Sequence, residues 1–175
     1  MPEFRIETER LVLREWVPGD GARFAAVTNT PAVMEWLGGP MASDTIAAME
    51  QRVLTCQATH GHSFWMVERR NDGGHLAGEL LGFCGLKRAD APTSTFTGQF
   101  EIGWRLREDA WGKGYAKEAA SASLDAGFGR FAAPEIFAIT VIGNTASWGL
   151  MERLGMRRRT DLDFQDPAMV RHCVM

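Results

Sequence analysis

Three features of this 175-residue sequence predict a mixed α/β domain of the α+β class. Short runs of alternating apolar and polar residues, typical of strands, cluster in its middle. Apolar residues at helical spacing alternate with strand-like runs only in its second half. Because 45% of the residues are apolar and no repeat or linker divides the chain, we expect residues 1–175 to form a single domain with a sizeable core.

The first part of the chain is predicted to hold one strand and two helices. Pro18, Gly19 and Asp20 interrupt the regular pattern between the strand and the first helix, and Ser43 or Asp44 can cap the second helix. The predicted elements, in order, are a strand at residues 11–13, a helix at 21–29, a loop at 34–40 and a helix from about 43 to 60.

Three consecutive strand-like runs follow, and their short connections predict antiparallel neighbours. These runs are residues 63–69, 79–87 and 99–106. In the remainder we expect a helix ending near residue 131, a strand at 136–141, a helix at 145–154, a strand at 156–163 and a terminal strand at 170–174.

Composition narrows the function classes. A formal net charge of -3 gives no overall basic field, which argues against nucleic-acid binding. The three cysteines are odd in number and far apart, as in proteins of a reducing compartment. The N-terminal residues resemble no signal peptide, and no apolar run is long enough to span a membrane. We therefore expect a cytoplasmic protein with neither nucleic-acid nor membrane partners.

The strand GQFEIGWRL, residues 98–106, has two different faces. Phe100, Ile102, Trp104 and Leu106 fall on the core side, and Glu101, Gly103 and Arg105 fall on the side that can line a cleft. Gly103 has no side chain to pack, which indicates either a bulge or a place where a ligand approaches the backbone.

The segment WGKGYAKEAA, residues 111–120, joins this strand to a helix. Gly112 and Gly114 remove side chains where the chain turns, so that free backbone N–H groups and Lys113 can meet an anion such as a pyrophosphate; a plain glycine turn is the alternative. The apolar side of this helix is predicted at Ala116, Ala120, Leu124 and Phe128.

Two common phosphate motifs do not fit this segment. The nucleotide P-loop requires Ser or Thr after the lysine, and Gly114 stands there. The dinucleotide fingerprint requires a third glycine at position 117, which is Lys117, and a parallel βαβ unit.

Instead, Trp111-Gly-Lys-Gly114-Tyr-Ala116 resembles the acyl-CoA-binding loop of GNAT-superfamily N-acetyltransferases, with Trp111 replacing the usual Gln or Arg. With this replacement the motif resembles that of the Rim-type ribosomal-protein N-terminal acetyltransferases. Further matching segments are ETERLVLREW (7–16), MEWLGGP (34–40), FEIGWRL (100–106) and NTASWGLMERLGM (144–156). The resemblance implies a mostly antiparallel central sheet that is splayed and flanked by helices, with pantetheine in the split.

The resemblance also implies the cosubstrate acetyl-CoA, an amine acceptor and a set of site residues. The implied cofactor-binding residues are Trp104, Arg105, Leu106, Trp111, Gly112, Lys113, Gly114, Tyr115, Ala116, Asn144 and Ser147. A backbone N–H near Trp104 to Leu106 would stabilise the oxyanion, and Ser147 would protonate the thiol. Asn144 also suits a helix cap without any chemistry. Glu35 and Trp36 would lie at the acceptor end.

Direct transfer of an acetyl group from acetyl-CoA to a primary amine is the implied reaction, without a covalent enzyme intermediate. Deprotonating a lysine-like amine at pH 7 costs roughly 4.6 kcal/mol, against about 1.1 kcal/mol for an α-amine. Glu101 is the candidate base or water-orienting residue and a candidate acceptor contact; a solvated or ion-paired strand residue is the alternative.

Several questions stay open on the sequence. A non-catalytic acyl-CoA sensor or partner-binding domain is the alternative function, and the acceptor can be a peptide N-terminus or a small amine. His60 and His62 suggest a turn with solvated histidines rather than a metal site, so no metal is expected. Cys84 is interpreted as a small core residue rather than a nucleophile. Both a monomer and a homodimer fit the sequence.

Overall fold

The computed structural model describes residues 4–167 and 171–175. The helices in these ranges are α1 (Asp20–Thr28), α2 (Ser43–His60), α3 (Tyr115–Gly129) and α4 (Thr145–Arg153). The strands are β1 (Arg5–Glu7), β2 (Leu11–Arg14), β3 (Phe64–Arg69), β4 (Leu80–Arg88), β5 (Phe100–Leu106), β6 (Ile136–Phe137), β7 (Ile139–Val141), β8 (Phe164–Gln165) and β9 (Arg171–Val174). None of the helices described combines the length and the apolar character that crossing a bilayer requires.

The strands form a six-stranded sheet in the order β1-β2-β3-β4-β5-β6 and a three-stranded sheet in the order β7-β9-β8. Pairing is antiparallel from β1 through β5, which confirms the prediction made for β3, β4 and β5, and β6 runs parallel to β5. This arrangement of four helices on a mixed sheet confirms the α+β class.

The predicted strand at residues 136–141 is broken in two at Ala138. The N–H and C=O of Ala138 both bond to Met175 at 2.9 Å, which redirects the chain from one sheet to the other. β6 therefore pairs with β5 only at Phe100 and Glu101, and β7 pairs with β9 instead. Beyond Glu101 the edge of β5 is open, which gives the splayed sheet.

The helices cover opposite faces of the large sheet. Phe100, Ile102 and Leu106 lie in the core cluster that includes α3, as their alternation predicted. α1 and α2 contribute to a second cluster around Phe83 on the other face.

The predicted apolar side of α3 is partly wrong, because Phe128 is 52% exposed. The side that faces the sheet carries Ala119, Ser123 and Gly127. A methyl group on Gly127 would lie 2.5 Å from the Ile136 side chain, so small residues allow this helix to approach the sheet closely.

Other sequence predictions need correction at the ends of elements. α2 begins after Ala42, and no side chain caps it, so the predicted cap at Ser43 or Asp44 is wrong. The predicted strand at 156–163 is a loop and a 3-10 helix (Thr160–Leu162), because Arg158 bonds to Asp163 and to the Val174 carbonyl. β1 was not predicted, and Val170, the predicted start of the last strand, lies outside the described residues.

His62 is not solvated, contrary to prediction. Its side chain is buried, its Nδ1 lies 2.7 Å from the Leu86 carbonyl, and its ring stacks on Phe100. Burial lowers the pKa of His62.

Candidate functional site

A cleft of about 860 Å³ opens between the free edge of β5, the loop from α1 to α2, and the first turns of α3 and α4. It brings together all the sequence-predicted site residues except Lys113, which does not line it. The predicted residues that line the cleft are Glu35, Trp36, Glu101, Trp104, Arg105, Leu106, Trp111, Gly112, Gly114, Tyr115, Ala116, Asn144 and Ser147.

The open edge of β5 presents backbone groups to this cleft. The Arg107 N–H donates to Leu81 O and the Ala89 N–H to Gln99 O, so the odd-numbered residues of β5 bond to β4. Hydrogen bonding in an antiparallel ladder alternates, and the N–H groups of Trp104 and Leu106 therefore point to the other side, where β7 has separated. Arg105 belongs to the bonded set, so its amide is not available to the cleft.

Gly103 does not form a bulge, and its backbone is covered by a side chain. It pairs regularly with Gly85, and the ring of Phe64 lies 2.9 Å from the position that a methyl group on Gly103 would occupy. The close approach predicted for a ligand is thus made by an aromatic side chain, which also stacks on Phe83 at 4.4 Å between ring centroids.

Gly112 and Gly114 both adopt left-handed backbone conformations, with φ of 69° and 81°. Side-chain-bearing residues rarely adopt this conformation, which explains the glycines at the turn into α3. The first helical bond of α3 runs from the Glu118 N–H to the Gly114 carbonyl, so the N–H groups of residues 115–117 have no partner within the helix. The indole of Trp111 donates to the Leu106 carbonyl at 3.0 Å and ties the turn to β5.

Arg10 is a part of this turn that sequence reasoning did not single out. Its Nη1 donates to the Lys113 carbonyl at 3.0 Å, and its Nε pairs with Glu118 at 2.7 Å. Its guanidinium lies 4.6 Å from the centre of the Tyr115 ring. The only signal for it was its place in the segment 7–16. Tyr115 itself is buried, and its hydroxyl donates to the His75 carbonyl, so its side chain supports the turn from below.

Glu101 is a buried carboxylate at the point where the sheet opens. Only 5% of the residue is exposed, and its Oε2 has no hydrogen-bond partner among the described residues. Burial raises the pKa of Glu101 to about 7, although the Lys87 ammonium 3.7 Å away acts in the opposite direction. A carboxyl group with this pKa can accept and release a proton near neutral pH.

Asn144 caps α4 as predicted, with its Oδ1 accepting the Ser147 N–H at 3.3 Å. The cap leaves the side-chain amide nitrogen of Asn144 for other contacts. Ser147 lies in the first turn of α4 and lines the cleft on the side of β7.

The loop between α1 and α2 covers one end of the cleft. Trp36 is 42% exposed, and a methyl group on Gly143 would lie 2.7 Å from its indole, so this ring packs against the turn between β7 and α4. His172 also lines the cleft, with its Nε2 3.1 Å from Asp166. Nothing in the sequence placed His172 here, because β9 reaches the site only through its pairing with β7.

Cys84 lies outside the cleft and is fully buried beside Ser123. Burial raises the pKa of its thiol to about 12, so the thiol is protonated at neutral pH. Residues 4–167 and 171–175 contain no cluster of three or more His, Cys, Asp or Glu side chains that could hold a metal ion.

The comparisons with known proteins point to one family. A sequence profile described as "Acetyltransferase (GNAT) domain" matches residues 10–157. The uncharacterized N-acetyltransferase YnaD of Bacillus subtilis (strain 168) is 41% identical over 155 residues, which cover 87% of this chain and 82% of YnaD.

Solved structures share the fold. The acetyltransferase from Agrobacterium tumefaciens str. C58 superposes with a TM-score of 0.80 at 24% identity, covering 98% of this chain and 94% of that one. The ribosomal-protein-S5-alanine acetyltransferase from Vibrio fischeri superposes with a TM-score of 0.71 at 17% identity, with the same coverage of 98% and 94%. At these identities the likeness concerns the fold.

GNAT acetyltransferases use acetyl-CoA as cosubstrate. The residues of the cleft fit that molecule, because free amides at the start of α3 suit a pyrophosphate and the open edge of β5 suits an extended amide-bearing arm. The chain therefore belongs to the GNAT family, as an acetyl-CoA-dependent acetyltransferase.

Proposed function

We propose that this protein transfers the acetyl group of acetyl-CoA directly to a primary amine, on a peptide N-terminus or a small molecule, with Glu101 as the base. The observation that carries the proposal is the buried Glu101 carboxyl beside the open edge of β5, whose pKa is raised to about 7. Its Oε2 makes no hydrogen bond within the described residues and lies 3.7 Å from the Lys87 ammonium. An ordinary carboxylate is a weaker base, because the pKa of its conjugate acid, 4.5, is more than two units lower.

The cosubstrate would be held by backbone groups. The N–H groups of residues 115–117, with Arg10 and Lys113 nearby, would bind the pyrophosphate, and the open edge of β5 at Trp104 would hold the pantetheine arm. Asn144 would contact the arm through the part of its amide that the cap does not use. Bound in this way, acetyl-CoA supplies an activated thioester carbonyl.

The remaining steps fall to protein groups around that carbonyl. Glu101, directly or through a water molecule, would take the proton from the ammonium of the acceptor. The N–H of Trp104 would stabilise negative charge on the carbonyl oxygen, because it points into the gap between β5 and β7. The free amine would form the C–N bond at the carbonyl carbon as the C–S bond breaks, and Ser147 would relay to the departing sulfur the second proton that the nitrogen loses.

We also propose that no covalent enzyme intermediate forms. The buried Cys84 thiol, with a pKa of about 12, supports this proposal, since such a thiol is neither accessible nor ionised.

The proposal is tested by titrating acetyl-CoA into the protein calorimetrically and then measuring thiol release with a panel of acceptors. The panel contains peptides with N-terminal alanine or serine, amino acids and simple alkylamines. Saturable binding with acceptor-dependent thiol release supports the enzyme. Saturable binding without release by any acceptor would favour an acyl-CoA sensor, and absence of binding by the folded protein would overturn the site itself.

Ser147→Ala is expected to slow acetyl transfer by less than about 10-fold, because a thiol of pKa about 8.5 leaves readily without a proton donor. The variant should bind acetyl-CoA as the wild type does, and its helix cap should persist, because the Asn144 cap uses the backbone N–H of Ser147. Steady-state kinetics at pH 7 provide the measurement. A loss of 1000-fold, on the order of a full general-acid contribution, would contradict this minor role.

A further inference from the structure

Arg105 is a half-buried residue, and two of its guanidinium nitrogens are buried without a hydrogen-bond partner. Its Nε and Nη1 are inaccessible to solvent and make no hydrogen bond, and no carboxylate of the described residues forms an ion pair with it. The guanidinium lies 5.6 Å from the centre of the Phe24 ring and 5.4 Å from that of Phe83. Burial lowers the pKa of Arg105 to about 10, so it stays charged at neutral pH.

Other buried arginines of this chain show how it normally satisfies such a charge. Arg69, with a side chain only 4% exposed, pairs with Asp72 at 2.9 Å. Arg14, at 14%, pairs with Asp20 at 2.6 Å. A buried charge without a partner is costly, so one that opens onto a cleft indicates a group that arrives from outside.

The face of the sheet on which Arg105 lies indicates whether the group that it binds belongs to acetyl-CoA or to the acceptor. Its contacts, Phe24 and Phe83, belong to the cluster of α1 and α2, whereas α3 packs on the opposite face. This guanidinium therefore does not lie beside the amides at the start of α3, which suit the pyrophosphate. Arg105 instead shares its face of β5 with Glu101, and both residues line the cleft.

The floor between these two residues is apolar. Phe64 covers Gly103 and stacks on Phe83, so the surface between Glu101 and Arg105 offers aromatic rings. Four residues along a strand correspond to about 13 Å between their Cα atoms. With a contact of about 3 Å at each end, the two groups suit a ligand whose amine and anionic group are separated by an apolar chain.

We propose that the acceptor is an amino carboxylate, whose carboxylate Arg105 binds while its amine is directed to Glu101. The inference rests on the proposed function and names its substrate class. A guanidinium presents a planar fork of donors that matches a carboxylate. One guanidinium neutralises one carboxylate, whereas a phosphate dianion would retain a net negative charge in a partly buried site.

The test compares acids with their amides. Thiol release from acetyl-CoA is measured with the ω-amino acids from glycine to 6-aminohexanoate, each paired with its carboxamide. The wild type should use at least one acid about 10-fold or more better than its amide in kcat/KM, with the longer members preferred. In Arg105→Gln the KM for that acid should rise about 10- to 100-fold, with kcat and the use of the amide nearly unchanged. The KM of Arg105→Lys for that acid should lie between the values of the wild type and Arg105→Gln, since lysine keeps the charge and loses the fork of donors.

Arg107→Gln is the matched control. Arg107 pairs with Asp109 and Glu79 at the end of the same strand and does not line the cleft, so its loss should leave the selectivity for acids unchanged. An unchanged affinity of Arg105→Gln for acetyl-CoA shows that this variant is folded. Equal use of acids and amides by the wild type, or selectivity that survives in Arg105→Gln, overturns the inference and leaves the proposed acetyl transfer standing. A wild type that does not bind acetyl-CoA overturns the proposed function itself.

Discussion

Replacing Glu101 with Gln is expected to lower kcat/KM for acetyl transfer by about 10²- to 10³-fold, the contribution usual for a positioned general base. The wild-type rate should rise with pH through about 7, because the raised pKa of Glu101 sets the pH at which its carboxylate becomes available. The rate of the variant should not rise with pH through about 7. Rates with one acceptor between pH 5 and 9 provide the measurement.

The same substitution is expected to stabilise the fold at alkaline pH. The pKa of Glu101 is raised from 4.5 to about 7 on folding, so between these values the folded chain binds a proton that the unfolded chain does not. Stability attributable to this group is therefore present at low pH and is lost as pH rises to about 7. Glutamine removes that loss, and we expect a gain of about 1–3 kcal/mol at pH 8 that disappears below about pH 4.

Two further variants separate these effects from a general perturbation. Glu108→Gln removes an exposed glutamate outside the cleft and should change neither the rate nor the urea midpoint at pH 8. Lys87→Met removes the ammonium that lowers the pKa of Glu101, so the pH at half-maximal rate should move upward. Full activity of Glu101→Gln, or a wild-type profile that is flat across pH 7, would contradict the assignment of Glu101 as the base.

Local pattern predicted much of the site. Alternation along β5 placed Phe100, Ile102 and Leu106 in the core and Glu101 opposite them, because a strand has a fixed period of two. The two glycines indicated the turn into α3, and left-handed φ values at both account for their identity. The Asn144 cap was also predictable, since it needs only residues three positions apart.

Local sequence pattern did not predict the features of the structure that depend on long-range contacts. The break at Ala138 depends on hydrogen bonds to Met175, which no local period reveals, and that break is what opens the sheet. Arg10 and His172 reach the site from opposite ends of the chain. Arg105 was assigned to the cosubstrate in a segment expected to act through backbone N–H groups, whereas its amide belongs to the set bonded to β4 and its aromatic contacts place its side chain on the opposite face from α3.

Glu101 and Arg105 both carry buried side-chain atoms that make no hydrogen bond within the described residues. Both side chains project from the same face of β5 into the cleft, and both carry shifted pKa values caused first by burial. Burial disfavours the charged form of each group, and titratable groups perturbed in this way within a cleft are candidates for functional residues.

Gly114→Val is expected to weaken acetyl-CoA binding by about 100-fold or more. A side chain at this position would project at the start of α3, where free amides suit a pyrophosphate, and its Cβ would lie 3.3 Å from Arg10 Nη2. The left-handed φ of 81° also makes the substitution costly to the fold, by about 1–2 kcal/mol. Calorimetric titration with acetyl-CoA is the measurement, and the unfolding midpoint must be recorded with it.

Gly61→Val distinguishes strain from loss of the binding turn. Gly61 ends α2 with a φ of 72°, has open space where its side chain would stand, and does not line the cleft. The two variants should therefore lose similar stability, but only Gly114→Val should lose affinity for acetyl-CoA. Equal binding by both variants would mean that the amides at the start of α3 do not hold the cosubstrate, and the anion site would then have to be sought elsewhere along the cleft.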